Sequence, residues 1–342
     1  MGNHLLFFMY LCLDDIRKKL LTFNFILGNR GGGKTYTTIK DSADKGIEFI
    51  YMRRTQKECE RIAKKMVDTS LSPFEALNND NPEYAFELER IDDGIYSIVK
   101  KDGKETIKKY GLMLALSTVA TMRGFEYPKC ERIIFDEFNP ERHVRMLTEE
   151  SDAFFNMYET INRNRELKGN KPIEVFLLGN ANSIASPILE TLELTEVIEE
   201  MNRTEKKFYR NVDRDLFLML MENAEFIEEK AKTALYKLTK GTKFYDMALY
   251  NKFSYDEFND INKQNLKEYK LKFTCSKFAV WRHKSRNEYY ITENNTGRID
   301  YEDNKQDEMA LANEIRLLKP QYIDRKIKFK NFSVKNNFTK YC

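Results

Sequence analysis

The stretch Gly28-Asn29-Arg30-Gly31-Gly32-Gly33-Lys34-Thr35 has the residue types and spacing of a phosphate-binding loop, G-x-x-x-x-G-K-T. A polyphosphate must be wrapped by backbone N–H groups at close range. Glycines let the chain turn that tightly, and the N-terminus of a following helix adds partial positive charge. Lys34 would then reach the β- and γ-phosphates, and the Thr35 hydroxyl would take one position on Mg²⁺. The competing reading is a glycine-rich turn feeding a helix. A second stretch, Arg132-Ile133-Ile134-Phe135-Asp136-Glu137-Phe138, ends an apolar run in two adjacent carboxylates. Such a pair is costly at the end of a buried strand unless a metal or cation is close. Asp136 would hold the Mg²⁺ shell and Glu137 would polarise the attacking water. Against this stands a chance acidic turn.

Two further positions follow from the same logic. Arg53 and Arg54 close an apolar run that starts at Ile47, and in open α/β sheets ligands sit beyond the carboxyl ends of strands. Arg53 would face the phosphates there; a solvated basic strand end is the alternative. Asn180 closes the run Ile173 to Leu178 and would sense the γ-phosphate or position water, or else cap a turn.

These residues need a scaffold that brings strand ends together. Phe23 to Leu27 reads as a buried strand, Tyr36 to Asp44 as a helix, Ile47 to Met52 as a strand and 56–68 as a helix, with 69–82 a loop. From Tyr84 to Ser117 the turns Asp93-Gly94 and Asp102-Gly103 imply a hairpin or meander. Arg132 to Phe138 and Ile173 to Leu178 are strands flanking a helix over Thr148 to Thr160. The expected fold is α/β, with a P-loop NTPase domain built on a central, mostly parallel sheet. A glutamate directly after the aspartate points to the additional-strand, catalytic-glutamate branch of these ATPases.

The chain has 342 residues, 42% of them hydrophobic, enough for two domains with a core in each. Its net charge of +3 hides an asymmetry, because residues 1–200 carry 28 basic against 33 acidic side chains and residues 201–342 carry 29 against 21. The second half is thus suited to meeting a polyanion. Cys12, Cys59, Cys130, Cys275 and Cys342 form no CxxC pair and lie near no histidine, which implies a reduced, cytoplasmic protein without a zinc site. The apolar run Leu5 to Leu13 is too short to span a membrane and is followed by Asp14 and Asp15, so a packing segment or partner-facing helix is expected.

Taken in order, the phosphate loop, Phe49-Ile50-Tyr51-Met52-Arg53-Arg54, Ile134-Phe135-Asp136-Glu137-Phe138, Arg163-Asn164-Arg165-Glu166 and Gly179-Asn180-Ala181-Asn182-Ser183 with Pro187 resemble the DNA packaging ATPase (encapsidation protein) of phi-29-type bacteriophages. The resemblance covers roughly residues 20–190. It implies a homomeric ring, pentameric in that family, that docks on a capsid portal and drives double-stranded DNA inward with ATP and Mg²⁺; whether a structural packaging RNA joins the portal is left open by the sequence. It places the chain in the host cytoplasm, transiently docked on the prohead. It puts Arg163 at the trans-acting arginine finger and Arg53 beside the nucleotide. Where the family has a trans-acting lysine before the acidic pair, the nearest basic residue here is Arg123. Such a finger would raise turnover by about 10³ to 10⁵, so a monomer should hydrolyse ATP poorly.

The expected organisation is an ATPase domain over 1–200, a helical linker over 201–245 and a smaller α/β domain over 246–342, RNase H-like by resemblance and without assignable nuclease residues. Asp256, Glu257, Asp300 and Asp303 are the acids that could hold a metal there. Arg325 to Cys342 contains Lys326, Lys328 and Lys330 among aromatic residues and no acid. It reads either as a DNA-binding segment that neutralises backbone phosphates or as a solvated arm. Two other function classes fit the same motifs: a self-contained P-loop nucleotide kinase, and a nucleic-acid-binding assembly factor using ATP as a switch.

Overall fold

The computed structural model describes residues 11–65, 73–88, 94–101, 104–118, 127–140, 149–180, 186–222, 224–242, 245, 249 and 260–341. The chain forms two compact units, Met1–Thr191 with Met201–Lys252, and Leu192–Glu200 with Phe253–Cys342.

The first unit is built on a nine-stranded sheet in the order β3-β4-β5-β2-β6-β7-β1-β9-β8. Its strands are β1 Phe23–Gly28, β2 Phe49–Arg53, β3 Phe86–Leu88, β4 Gly94–Lys101, β5 Lys104–Ala115, β6 Arg132–Asp136, β7 Glu174–Asn180, β8 Phe208–Asn211 and β9 Leu216–Met221. The central pairings, from β5 across to β9, are all parallel, while β3, β4 and β8 add antiparallel edges. Parallel strands covered on both faces read as continuous apolar runs, and Phe25, Ile26 and Leu27 are fully buried for that reason. The polar exception in β1, Asn24, is satisfied: its side chain bonds the carbonyls of Leu21 at 2.6 Å and Val175 at 3.3 Å and accepts from the Leu21 N–H at 2.9 Å.

One strand, β7, lies between β1 and β6, as the additional-strand expectation requires. Register sets the heights at the carboxyl edge. Gly28 is level with Asn180, and Asp136 with Leu178, so loop, amide and acidic pair open on one crevice. Helices α1 Leu13–Ile16, α2 Lys34–Asp44, α3 Gln56–Lys65, α4 Pro73–Asp80 and α5 Glu150–Asn162 belong to this unit. In α2 the buried Thr38 and Ser42 hydroxyls bond back to the carbonyls of Lys34 and Thr38, both at 2.8 Å. Arg132, 2% exposed, pairs with Asp41 of α2 at 2.9 Å and Glu174 of β7 at 2.6 Å, which fixes the helix on the sheet. Leu11, Leu13 and Ile16 join the same core, so the described end of the N-terminal apolar run is a packing segment.

The hairpin expected over 84–117 is present, and its last strand, β5, does more than close a meander. Its end runs parallel to β2 and extends the central sheet. The helical linker expected over 201–245 is corrected. Helices α7 Leu194–Arg203, α8 Ala224–Ala231 and α9 Ala234–Leu238 do occur, following the short α6 Pro187–Thr191, but 208–211 and 216–221 are strands of the main sheet. The run Leu216-Phe217-Leu218-Met219-Leu220-Met221 lies parallel to β1, and all of it but Met219 is buried, side chains of both faces included.

The second unit carries a four-stranded sheet, β10 Tyr269–Thr274, β11 Ala279–His283, β12 Tyr289–Thr292 and β13 Ile327–Phe329, in that order. The first three form an antiparallel meander and β13 runs parallel to β12. Helices α10 Lys305–Leu317, α11 Lys319–Ile323 and α12 Phe332–Thr339 complete it. The solvated-arm reading of 325–342 is corrected here: Ile327, Phe329, Val334 and Phe338 are core residues, and the Phe338 ring packs on Phe278 and Phe329. These buried aromatics are not surfaces on which a base could stack. Among the described residues no helix is long and apolar enough to cross a membrane.

Candidate nucleotide site

The glycine loop leaves β1 and enters α2 through two residues with left-handed backbone, Gly31 and Gly33, both at φ 78°. A side chain at either position would be strained, which is why the pattern needs glycine there. Lys34 begins α2 and folds back into the loop, where its Nζ donates to the carbonyls of Gly28 (3.0 Å) and Asn29 (2.8 Å) and to Asn180 Oδ1 (3.4 Å). It is only 7% exposed. Burial, with Lys230 and Arg30 nearby, lowers its pKa to about 8 despite the opposing pull of Asp136 and Glu137. A buried ammonium held by neutral oxygens is a site prepared for an anion.

Beside it the acidic pair is already organised. Thr35 Oγ1 donates to Asp136 Oδ1 at 2.8 Å, so the two groups expected to hold Mg²⁺ lie together as hard oxygen ligands. The other oxygen of Asp136 accepts from the Tyr51 hydroxyl at 2.7 Å and from Arg53 at 2.9 Å. Arg53 also reaches Glu137 at 2.5 Å. Tyr51 is fully buried, and its phenol pKa is pushed well above the usual value by burial and by Asp136. It therefore acts as a donor that fixes the orientation of the carboxylate. Arg53 is likewise held charged: burial opposes its charge, but the carboxylates of Asp136 and Glu137 raise its pKa.

The residues present fit a Mg²⁺–nucleotide. Two buried polar atoms in this crevice, Arg53 Nε and Asn29 Oδ1, have no hydrogen-bond partner, which a native interior seldom leaves unanswered. Glu137, exposed at the mouth of the crevice, has φ 51°. Non-glycine residues adopt that conformation at a cost and gather at functional sites.

Arg163 lies elsewhere in the same unit. It follows the last residue of α5, is exposed, and has φ 47°. Its Nε donates to the carbonyl of Thr160 at 3.3 Å. Arg165 also donates to a backbone carbonyl, that of Pro128, at 2.5 Å. Asn162 shapes the turn between them, accepting from the Ile173 N–H at 2.9 Å and donating to Glu166 at 2.8 Å. At its other end α5 is clamped by a fully buried bidentate pair, Arg54 to Glu150, at 2.6 and 2.8 Å. Phe154 stacks on Phe135 of β6 with centroids 5.7 Å apart.

Gly28 to Thr35, Arg53, Asp136, Glu137 and Asn180 are therefore brought to one crevice, and Arg163 is presented outward from a clamped helix. Sequence reading missed Tyr51, hidden in an apolar run, and Asn139, whose amide donates to the Asn180 carbonyl at 2.6 Å and steadies that strand end. Arg123 and Ala181-Asn182-Ser183 lie outside the described residues, as do Asp256 and Glu257. Asp300 serves the Thr274 N–H at 3.0 Å and Arg298 at 2.6 Å, and Asp303 serves Ser276 at 2.8 Å. Among the described residues no group of three His, Cys, Asp or Glu could hold a metal.

Lys326, Lys328 and Lys330 lie on and beside β13 and each has a carboxylate: Asp324 at 3.0 Å, Asp260 at 3.4 Å and Glu293 at 2.7 Å. The acids come from other parts of the unit or from just before the stretch, so the run without acids is not a run without counter-charges.

A family model described as podovirus DNA encapsidation protein (Gp16) matches residues 8–331. A DNA packaging protein of Bacillus phage B103 is 28% identical over 266 residues, which cover 75% of this chain and 73% of that protein. Among solved structures, the bacteriophage Phi-29 viral genome packaging motor assembly matches with a TM-score of 0.65 at 21% identity, covering 97% of this chain and 98% of that one. The Phi-28 gp11 DNA packaging motor matches with a TM-score of 0.60 at 17% identity, covering 97% of each chain. At these identities the structural likeness is one of fold.

Proposed function

The chain belongs to the podovirus DNA encapsidation protein (Gp16) family, and from that membership and the geometry of the crevice we propose that it is an ATP-driven motor moving double-stranded DNA into a preformed capsid. The observation that carries the proposal is the joined pair Thr35–Asp136, 2.8 Å apart, beside a desolvated Lys34. The names of its relatives, a DNA packaging protein and two packaging motors, support the coupling to DNA.

In this reading the glycine loop and Lys34 bind the phosphates, with Arg53 and Asn180 at their flank. Thr35 and Asp136 would hold Mg²⁺, which would neutralise charge on the phosphates. Glu137 takes the proton of the attacking water, and Tyr51 keeps Asp136 oriented. Arg53 releases the carboxylates when nucleotide arrives. Arg163 completes a neighbour's site, because it projects from the end of a helix fixed at its far end by Arg54–Glu150. A trans-acting finger requires a closed ring; a pentamer, docked on a capsid portal in the host cytoplasm and with or without a packaging RNA, belongs to the same proposal, as does an RNase H-like smaller unit. DNA would be held by its phosphates, with binding that weakens steeply with salt. Lys326, Lys328 and Lys330 would contribute to that binding only in part, because each already holds a carboxylate.

The test is steady-state ATPase activity against protein concentration at low salt, with and without double-stranded DNA. Turnover should rise as subunits associate and with DNA. Arg163→Ala should lower it by about 10³-fold or more, and mixing in Glu137→Gln subunits, which still offer Arg163, should restore part of it. Turnover indifferent to concentration and DNA would instead indicate a self-contained P-loop enzyme such as a kinase.

A further inference from the structure

The segment expected to be a linker reaches back over the phosphate loop. In α8, Lys230 donates to the carbonyl of Arg30, and its ammonium lies over the rings of Phe226 and Tyr236 at 5.0 and 5.4 Å. The Phe226 ring sits against Gly31, 3.5 Å from where a Cβ would be. Farther along, the Leu249 carbonyl accepts from Asn29 Nδ2 at 2.6 Å. Three separate contacts thus place Phe226 and Lys230 of α8, and Leu249, on the tip of the loop, at Gly31, Arg30 and Asn29.

We propose that Lys230 is a third phosphate-binding cation of the nucleotide site, delivered in cis by a cap made of α8 and α9, and that the triphosphate of the bound nucleotide is its ligand. Like the reading it deepens, this rests on the chain binding ATP. Two features support it. First, the partner of Lys230 is a neutral carbonyl on the loop itself, held in an aromatic pair that restricts where the ammonium can go. Second, Lys230 and Lys34 are held by the adjacent carbonyls of Arg30 and Asn29, so two ammonium groups converge on the same loop, and burial together with Arg30 lowers the Lys230 pKa. Clustered, partly desolvated cations are unfavourable alone and favourable around a polyanion, so the cost is borne before the ligand arrives. The loop wraps phosphate with its N–H groups, which leaves the Arg30 carbonyl available to hold Lys230 in place.

The experiment measures equilibrium affinity for ATP and ADP, by competition with a fluorescent nucleotide in Mg²⁺, for the full-length wild type and for Lys230→Met, Lys230→Arg and Lys34→Ala, with thermal unfolding of each apoprotein. Lys230→Met should weaken ATP about tenfold and ADP by less, Lys230→Arg should stay within about threefold of wild type, and apoprotein Tm should not fall. ATP binding by Lys230→Met equal to wild type, while Lys34→Ala loses it, would overturn the inference and leave the nucleotide reading intact. So would an equal loss in Lys230→Arg, or a fall in Tm, either of which marks a packing role. A wild type that does not bind ATP would overturn the underlying reading itself.

Discussion

Lysines occupy two regions of this molecule in opposite ways. In the nucleotide crevice Lys34 is buried, hydrogen-bonded to neutral oxygens and depressed in pKa, and Arg53 keeps an unanswered Nε. On the smaller unit Lys326, Lys328 and Lys330 are matched with carboxylates, and Asp260 also lies 3.7 Å from the largely buried Lys335. In the first region Lys34 is held by neutral oxygens and no carboxylate, although Arg53 beside it pairs with Asp136 and Glu137; in the second each lysine carries its own counter-charge. Unbalanced buried charge points to an absent partner, whereas a basic run in sequence says little until its counter-charges are located.

The contrast is broken most severely at Lys34. Lys34→Met should weaken ATP binding roughly a hundredfold, the loss of a charge-assisted contact to phosphate. It should also remove a pH dependence. Because the folded pKa is about 8 against 10.5 for a free lysine, the unfolded chain binds more protons across that interval, so apoprotein stability rises with pH there. Denaturant unfolding at about pH 8 and about pH 10 should show that rise in wild type and a flatter profile in Lys34→Met. Asp260→Asn strips Lys328 and Lys335 of their shared carboxylate and should destabilise the smaller unit by about 2 kcal/mol, read from denaturant midpoints. The mildest effect is expected from Lys326→Ala, Lys328→Ala and Lys330→Ala combined. A free lysine contributes about 0.9 to the salt slope of DNA binding for each phosphate it neutralises. Lysines that already hold carboxylates should together change that slope by clearly less than three such contributions. A full drop of that size would show that the pairs open entirely on DNA.

The crevice was legible because its chemistry sits in contiguous residues. Gly28 to Thr35 and Asp136-Glu137 each combine a strand, a turn and a functional group in one short stretch, and the register Gly28–Asn180 then follows from three apolar runs paired in parallel. What contiguity does not encode was missed. Leu216 to Met221 is a six-residue apolar run that periodicity alone cannot assign to strand or helix, and charged helical stretches on both sides favoured the wrong choice. Its length and lack of a polar face were the available signals for a buried strand. The 325–342 stretch misled through composition, although the alternation Ile327-Lys328-Phe329 and the spacing of Val334 and Phe338 mark a half-buried strand and a helix face. Tyr51 and Lys230 left no signal, since their roles depend on partners 85 and 200 residues away.

Both margins of the large sheet are brief. The outermost strands, β3 and β8, have three and four residues, and β8 shows exposed Phe208 and Arg210 with Lys207 just before it. Short, charged margins discourage copies from zipping together backbone to backbone. In the ring proposed above, copies crowded around one axis would otherwise be prone to fuse into an irreversible aggregate. Subunits of such a ring would instead recognise each other through side chains, and contacts of that kind can be released and remade.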